Sequence, residues 1–221
     1  MKISEILKEK IYDHADNTIL EKIKTECSDA YNAYMNDRTV IYRGCSQVQK
    51  YLEANPQNGQ RKSANTTNYY TVALSQLPAF KDYPPRDRSL ICSTSKSYAE
   101  EFVRQYSGVY AVFPVNGTKI GMINDGDMWD TYLDFCGETL TIERVNYRLR
   151  NYFSGICLPT VTEQLEREKE LNLGTLYRDY ISSLDPKVLG FSVKDTSSFY
   201  KQSAELESEV WFSGKAYMVR K

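Results

Sequence analysis

The pattern of apolar and polar positions predicts a helical beginning followed by strands separated by polar segments. Apolar residues recur at roughly helical spacing from residue 1 to about 36, and Asn17-Thr18 offers a helix N-cap within that stretch. The runs TVIYRG (39–44) and SLICSTS (89–95) are rich in β-branched and apolar residues and predict strands. Between them, the turn-rich polar stretch from Gln47 to about Arg88 predicts a long loop, of which YTVALSQLPAF could form a short helix or strand.

The second half of the chain alternates between predicted strands and helices. Ser95 or Ser97 can cap a helix in KSYAEEFVRQY, and the strands VYAVFPV and TKIGMI flank Asn116-Gly117, a hairpin turn signal. Residues 128 to about 182 read as mostly helical, and KVLGFSV, SEVWF and AYMVR read as strands. We therefore expect an α+β fold of mostly antiparallel strands, with an N-terminal helical segment (1–38) and one larger domain (39–221) that includes the central helical block.

Composition and charge narrow the functional classes. The 221 residues carry a net charge of −1, so the chain has no global field that would attract nucleic acid. The single histidine, His14, excludes metal sites built on several histidines, and we expect no metal. The chemistry of this protein is therefore expected to use carboxylates, hydroxyls and arginine.

The spacing of the cysteines and the lengths of the apolar runs indicate the cellular compartment. The five cysteines are odd in number and no two have C-x-x-C spacing, which is typical of reduced thiols in a cytosolic protein. The first twenty residues lack an apolar signal core, and no apolar run approaches the roughly 20 residues that span a bilayer. These features predict a soluble, cytoplasmic protein without a membrane partner.

Three short segments carry candidate chemistry. Arg43 lies within the apolar strand IYRG, Ser93-Thr94-Ser95 ends a middle strand before a helix, and Glu207-Ser208-Glu209 opens the late strand VWF. A buried arginine needs an anionic partner, and residues two apart on a strand share a face, so the two glutamates are expected to project together. Taken singly, each segment also has an ordinary structural explanation: an ion pair, a helix cap and a solvated strand.

Together and in this order, the three segments resemble the ADP-ribosyltransferase superfamily, in particular its arginine–serine–glutamate class. That class includes clostridial-type toxins, arginine-specific eukaryotic enzymes and the small transferases of T4-like phages. The resemblance extends from about residue 39 to the C-terminus. It implies a split β-sandwich of mostly antiparallel strands, and NAD⁺ as the co-substrate. It also implies transfer of ADP-ribose to a protein in the cytoplasm, which is the host's where a phage or effector encodes the enzyme.

The resemblance also implies a role for each matching residue. Glu209 would stabilise the cationic ribose by bonding its 2′-hydroxyl, and Ser93 would bond and orient Glu209. Arg43 would bind the NAD⁺ diphosphate or adjacent ribose, and the backbone of Gly44 would bond the nicotinamide carboxamide. Thr94 and Ser95 would brace the two strands beside the cofactor. Tyr106, Tyr110 and Phe113 are the candidates for stacking on nicotinamide.

Glu207 indicates which type of side chain would accept ADP-ribose. In the family, enzymes with glutamate at this position typically modify arginine, and those with glutamine modify asparagine, so an arginine side chain of a protein is the favoured acceptor. The segment from Lys194 to Leu206 corresponds to the family's loop that contacts the acceptor. Glu205-Leu206-Glu207 is a second E-x-E register. We prefer Glu207/Glu209 because an apolar strand follows it immediately.

Several alternatives stay open. An NAD⁺ glycohydrolase would have the same fold with water as the acceptor, and a catalytically silent binding or inhibitor protein would leave NAD⁺ intact. A single-strand or RNA-binding protein could use the eighteen tyrosines for stacking, although the balanced charge argues against it. RNA as the ADP-ribose acceptor is a further possibility.

Overall fold

The computed structural model describes residues 17–59, 78–103, 108–123, 128, 185–187, 190–201 and 207–221. Within these residues, eight strands form one sheet in the order β2-β8-β4-β1-β3-β7-β5-β6, and every strand pairing is antiparallel. The strands are β1 (Ile41–Cys45), β2 (Tyr51–Ala54), β3 (Leu90–Ser93), β4 (Gly108–Pro114), β5 (Lys119–Ile123), β6 (Phe191–Asp195), β7 (Glu209–Phe212) and β8 (Ala216–Arg220). The α-helices are α1 (Asn17–Glu26), α2 (Ser28–Met35), α3 (Lys96–Glu101) and α4 (Thr196–Phe199). The predicted α+β class with antiparallel strands is confirmed.

The sheet consists of two four-stranded halves joined by a single residue pair. One half contains β2, β8, β4 and β1, and the other contains β3, β7, β5 and β6. Between β1 and β3, only Tyr42 and Ser93 are paired, whereas β1 and β4 pair along five residues. The β1–β3 border is therefore where the two halves separate.

The predicted hairpin at Asn116-Gly117 is wrong, although both predicted strands exist. β4 pairs with β1 and β8, while β5 pairs with β6 and β7, so the turn carries the chain from one half of the sheet to the other. Distant groups fix this turn: the Asn116 amide donates to the Glu26 carbonyl at 2.8 Å, and the Gly117 amide donates to Thr196 Oγ1 at 2.9 Å. These tertiary contacts replace the strand pairing that a local turn signal predicts.

The N-terminal helix prediction holds for the described residues, but the helix is broken. Cys27 has non-helical backbone angles between α1 and α2, and its Sγ donates to the Phe113 carbonyl. Leu20, Ile23 and Tyr34 belong to the same buried cluster as the strands, with the Tyr34 ring edge-on to Phe113 at 5.4 Å. The helices thus pack on the sheet and cover its apolar surface. Residues 1–16 lie outside the described part of the chain.

Other boundaries differ from the predictions. The polar stretch after Gln47 contains the unpredicted strand β2, and α3 ends at Glu101 rather than near Tyr106. In KVLGFSV, the strand begins only at Phe191, after Gly190 with a φ of 72°. Apart from Met128, the predicted helical block from 128 to about 182 lies outside the described residues. Within the described part, no helix has the length and apolar character needed to cross a bilayer.

Candidate active site at the junction of the sheet halves

The three segments singled out in the sequence meet on adjacent strands. Ser93 on β3 lies opposite Tyr42 on β1 and opposite Glu209 on β7. Neighbouring strands are about 4.8 Å apart, so β1 and β7 are separated by about 10 Å. Arg43 follows Tyr42 directly, so the sheet brings the arginine, hydroxyl and carboxylate segments to the border between its halves. Tyr42, Ser93 and Glu209 share one face of the sheet, and the Arg43 side chain leaves β1 on the other face.

Arg43 spans the gap between the diverging strands. Past the Tyr42–Ser93 pair, β1 and β3 are no longer paired, and Arg43 Nη1 donates to the Ile91 carbonyl across that gap. The side chain is only partly buried. This carbonyl takes one donor of the five that a guanidinium offers, so the cation retains the capacity to bind an anion.

Helix α3 approaches β1 so closely that position 44 requires a glycine. A Cβ at this position would lie 2.1 Å from the Ala99 carbonyl oxygen and 3.2 Å from Phe102 Cβ. The absence of a side chain thus lets α3 pack directly on β1. The hydrogen bond from the Gly44 backbone to a carboxamide stays a prediction.

Thr94 and Ser95 tie β3 to the residues that precede β7. Thr94 Oγ1 accepts from the Ser208 amide at 2.9 Å, and the Thr94 amide donates to the Ser208 carbonyl at 3.0 Å. Ser95 Oγ donates to Glu207 Oε1 at 3.1 Å and also caps α3 by accepting from the Tyr98 amide. These hydrogen bonds hold the end of β3 beside the start of β7, and a role of Thr94 and Ser95 beside a cofactor stays a prediction.

The two glutamates have different environments. Strand β7 begins at Glu209, whose side chain is buried, whereas Glu207 precedes the strand and is exposed. Both glutamates nevertheless lie beside the end of β3, because Ser93 is paired with Glu209 and Ser95 is hydrogen-bonded to Glu207. The prediction that both project from one strand is therefore wrong in detail, since only Glu209 is in the strand.

Arg86, which the sequence did not single out, holds the Glu209 carboxylate. Its Nη1 lies 2.5 Å from Glu209 Oε1, and the two side chains are only 6% and 8% exposed. The hydrogen bond from Ser93 to Glu209 that the resemblance implies is not found among the described residues, where Ser93 Oγ accepts from the Ser95 amide. Arg86 lies in a loop-like segment beside Arg88, which is 61% exposed, and no local pattern distinguishes the two arginines.

The charges of Arg43 and Glu209 both act on the Cys92 thiol, which lies between their strands. Burial raises the pKa of this thiol to about 12; the positive charge of Arg43 opposes the increase, and the negative charge of Glu209 adds to it. The thiol is therefore protonated at neutral pH and is a poor nucleophile.

Two of the aromatic candidates for stacking belong to the core. Tyr110 is fully buried, and its hydroxyl donates to the Gln49 carbonyl at 2.6 Å. Phe113 is also buried and packs on Tyr34. Both are therefore unavailable to a ligand ring, and Tyr106 lies outside the described residues.

No protein-family model matches this chain, and neither a curated protein nor a solved structure is significantly similar to it. Among the described residues, no cluster of three or more histidine, cysteine, aspartate or glutamate side chains could hold a metal ion.

Proposed function

We propose that this chain is a mono-ADP-ribosyltransferase of the arginine–serine–glutamate class, which cleaves NAD⁺ and transfers ADP-ribose to an arginine side chain of a protein. One observation carries the proposal: the segments of Arg43, Ser93 and Glu209, far apart in sequence, lie on three adjacent strands where the sheet is joined by one residue pair. On this proposal, the two halves of the sheet correspond to the two sheets of a split β-sandwich.

The donor set at this border fits a dinucleotide. Arg43 would bind the diphosphate, because a planar guanidinium forms charge-assisted and often bidentate bonds to phosphate oxygens. Glu209 Oε1 is bonded to Arg86, while Oε2 makes no hydrogen bond to the residues that the structure describes. This second oxygen would accept a hydrogen bond from the ribose 2′-hydroxyl.

The reaction breaks the N-glycosidic bond between ribose and nicotinamide, and the bonding electron pair leaves with nicotinamide. Positive charge then develops on the ribose, as in glycoside hydrolysis. The Glu209 carboxylate stabilises that charge more than it stabilises the ground state, which lowers the barrier. A guanidine nitrogen of the acceptor forms the new bond to the ribose carbon and gives up one proton.

Glu207 is the group that would take this proton. Its carboxylate is exposed and bonded to Ser95, so it can meet the side chain of a protein acceptor at the surface while Glu209 remains buried. The reaction would take place in the cytoplasm. The three described cysteines are free thiols, which is compatible with a reducing compartment.

The proposal is tested by incubating the purified chain with NAD⁺ and agmatine, a small guanidine, and measuring nicotinamide release and ADP-ribosyl-agmatine by mass spectrometry. We expect Glu209→Gln to lower both rates by about 10²- to 10³-fold, because it removes the charge that stabilises the transition state. Glu207→Ala should lower transfer while sparing nicotinamide release. The control Glu101→Gln, an exposed glutamate on α3, should resemble the wild type.

The possible results separate the candidates. Absence of NAD⁺ cleavage by the wild type would refute the proposal and favour a silent binding protein. Free ADP-ribose as the sole product would indicate a glycohydrolase, and equal losses of both rates in Glu207→Ala would refute acceptor activation by Glu207. Labelled NAD⁺ in a bacterial lysate would then show whether the acceptor is a protein or RNA.

A further inference from the structure

Arg86 contacts strand β7 at two residues on the same face. Its Nη1 is bonded to Glu209, and the guanidinium carbon lies 5.1 Å from the centre of the Trp211 ring. Glu209 and Trp211 are two apart on the strand, so their side chains leave it on the same side. The guanidinium therefore bridges the carboxylate and an aromatic face.

The loop that carries Arg86 is fixed to the same strand. Trp211 Nε1 donates to the Pro84 carbonyl at 3.0 Å, and Ser89 Oγ donates to the Pro85 carbonyl at 2.7 Å. Between these anchors, residues Arg86–Arg88 form a single 3-10 turn. The loop that positions the Arg86 guanidinium beside Glu209 is thus hydrogen-bonded to β7 through Pro84 and Trp211.

The ion pair leaves one buried donor unused. Arg86 Nε has no hydrogen-bond partner among the residues that the structure describes, although the side chain is more than nine-tenths buried. Buried donors are normally satisfied, so an unsatisfied one needs a specific explanation, and a catalytic role is one of those that such groups have. Trp211 supplies only the face of its ring, which cannot accept a normal hydrogen bond from Nε.

A buried carboxylate needs a positive partner to stay ionised and in one orientation. Electrostatic catalysis depends on both properties, because the charge must already be in place when the ribose becomes cationic. In the described part of the chain, Arg86 is the cation that bonds to Glu209, whereas Arg43 bonds to the Ile91 carbonyl.

We infer that Arg86 is a positioning residue for the reaction: its guanidinium holds the Glu209 carboxylate in one orientation and directs Oε2 towards the ribose of NAD⁺. The inference rests on the proposed function. It assigns to an arginine from the loop before β3 the orienting role that the resemblance gives to Ser93.

The test compares Arg86→Met with Arg88→Met, a matched change two residues away at an exposed position. In Arg86→Met we expect kcat for nicotinamide release to fall by about 10²-fold, with KM for NAD⁺ within about threefold of the wild type. Arg86→Lys, which keeps the charge, should recover part of kcat. Arg88→Met should have the kinetics of the wild type.

A double-mutant cycle separates positioning from a general structural effect. If Arg86 acts through the carboxylate, Arg86→Met/Glu209→Gln should be as slow as Glu209→Gln alone, whereas a general effect would multiply the two losses. Near-ultraviolet circular dichroism establishes that each variant is folded. If Arg86→Met does not fold, Arg86→Gln, which retains hydrogen-bonding capacity, takes its place in the same cycle.

The outcomes distinguish this inference from the proposed function. A wild type without NAD⁺ cleavage refutes both. A wild type that cleaves NAD⁺, together with an Arg86 variant of undiminished kcat or with multiplicative losses in the cycle, refutes the positioning role alone. A loss in kcat that disappears in the Glu209→Gln background supports it.

Discussion

Substitution of Gly44 by alanine tests how the strand of Arg43 is packed. The added Cβ would lie 2.1 Å from the Ala99 carbonyl oxygen, so α3 would have to withdraw by about 1.3 Å to reach the 3.4 Å of ordinary contact. Overpacking of this kind typically costs about 1–3 kcal/mol. Alanine also reduces the entropy of the unfolded chain, which offsets about 0.4–1 kcal/mol of that cost. We expect a net loss of up to about 2.6 kcal/mol in the free energy of unfolding, with about 1.3 kcal/mol at the midpoints of the two ranges.

Urea unfolding of Gly44→Ala measures this loss as a lower midpoint at an unchanged m value. The matched control is Gly59→Ala, where the added Cβ meets no atom within 4 Å and the backbone is extended, with a φ of −134°. The control should be as stable as the wild type or slightly more stable. If Gly44→Ala matched it, the close packing of α3 on β1 would be refuted.

Two further predictions concern the braced strands and the buried thiols. Thr94→Val removes the acceptor of the Ser208 amide and should lower the free energy of unfolding by about 1–3 kcal/mol. The exposed control Thr25→Val should change this free energy little. Equal effects of the two substitutions in urea unfolding would contradict a stabilising role of the Thr94–Ser208 hydrogen bond. Burial raises the pKa of the Cys27 and Cys92 thiols to about 12, so at pH 8 both are protonated and should resist a brief pulse of iodoacetamide that alkylates the half-buried Cys45. Mass spectrometry of the peptides measures this, and equal labelling in the folded protein would be inconsistent with the burial of Cys27 and Cys92.

Most described strands could be predicted from the sequence, because each is a local run of β-branched and aromatic residues. Their pairing could not. The turn at Asn116-Gly117 has a local hairpin signal, but its amides bond to Glu26 and Thr196, and these distant partners send β5 into the other half of the sheet. The break at Cys27 is similar, since its thiol is bonded to the Phe113 carbonyl on β4.

The part of the candidate site that could be predicted is the part that depends on the order of its three motifs along the chain. That order placed Arg43, Ser93 and Glu209 together, and their segments do lie on adjacent strands. Arg86 was missed because a buried arginine in a polar loop has the same local sequence as an exposed one. Its role depends on Glu209, more than a hundred residues later in the chain, and on the Trp211 ring.

The order of the strands has a consequence for biosynthesis. β8 lies between β2 and β4 in the sheet, although both of those strands are made long before it. A growing chain on the ribosome therefore cannot complete this half of the sheet until residues 216–220 have left the exit tunnel, and Glu209 emerges only shortly earlier. Because such pairings join distant parts of the chain, this half of the sheet should assemble slowly. On the proposed function, a nascent chain could not cleave NAD⁺ before these residues have emerged and paired.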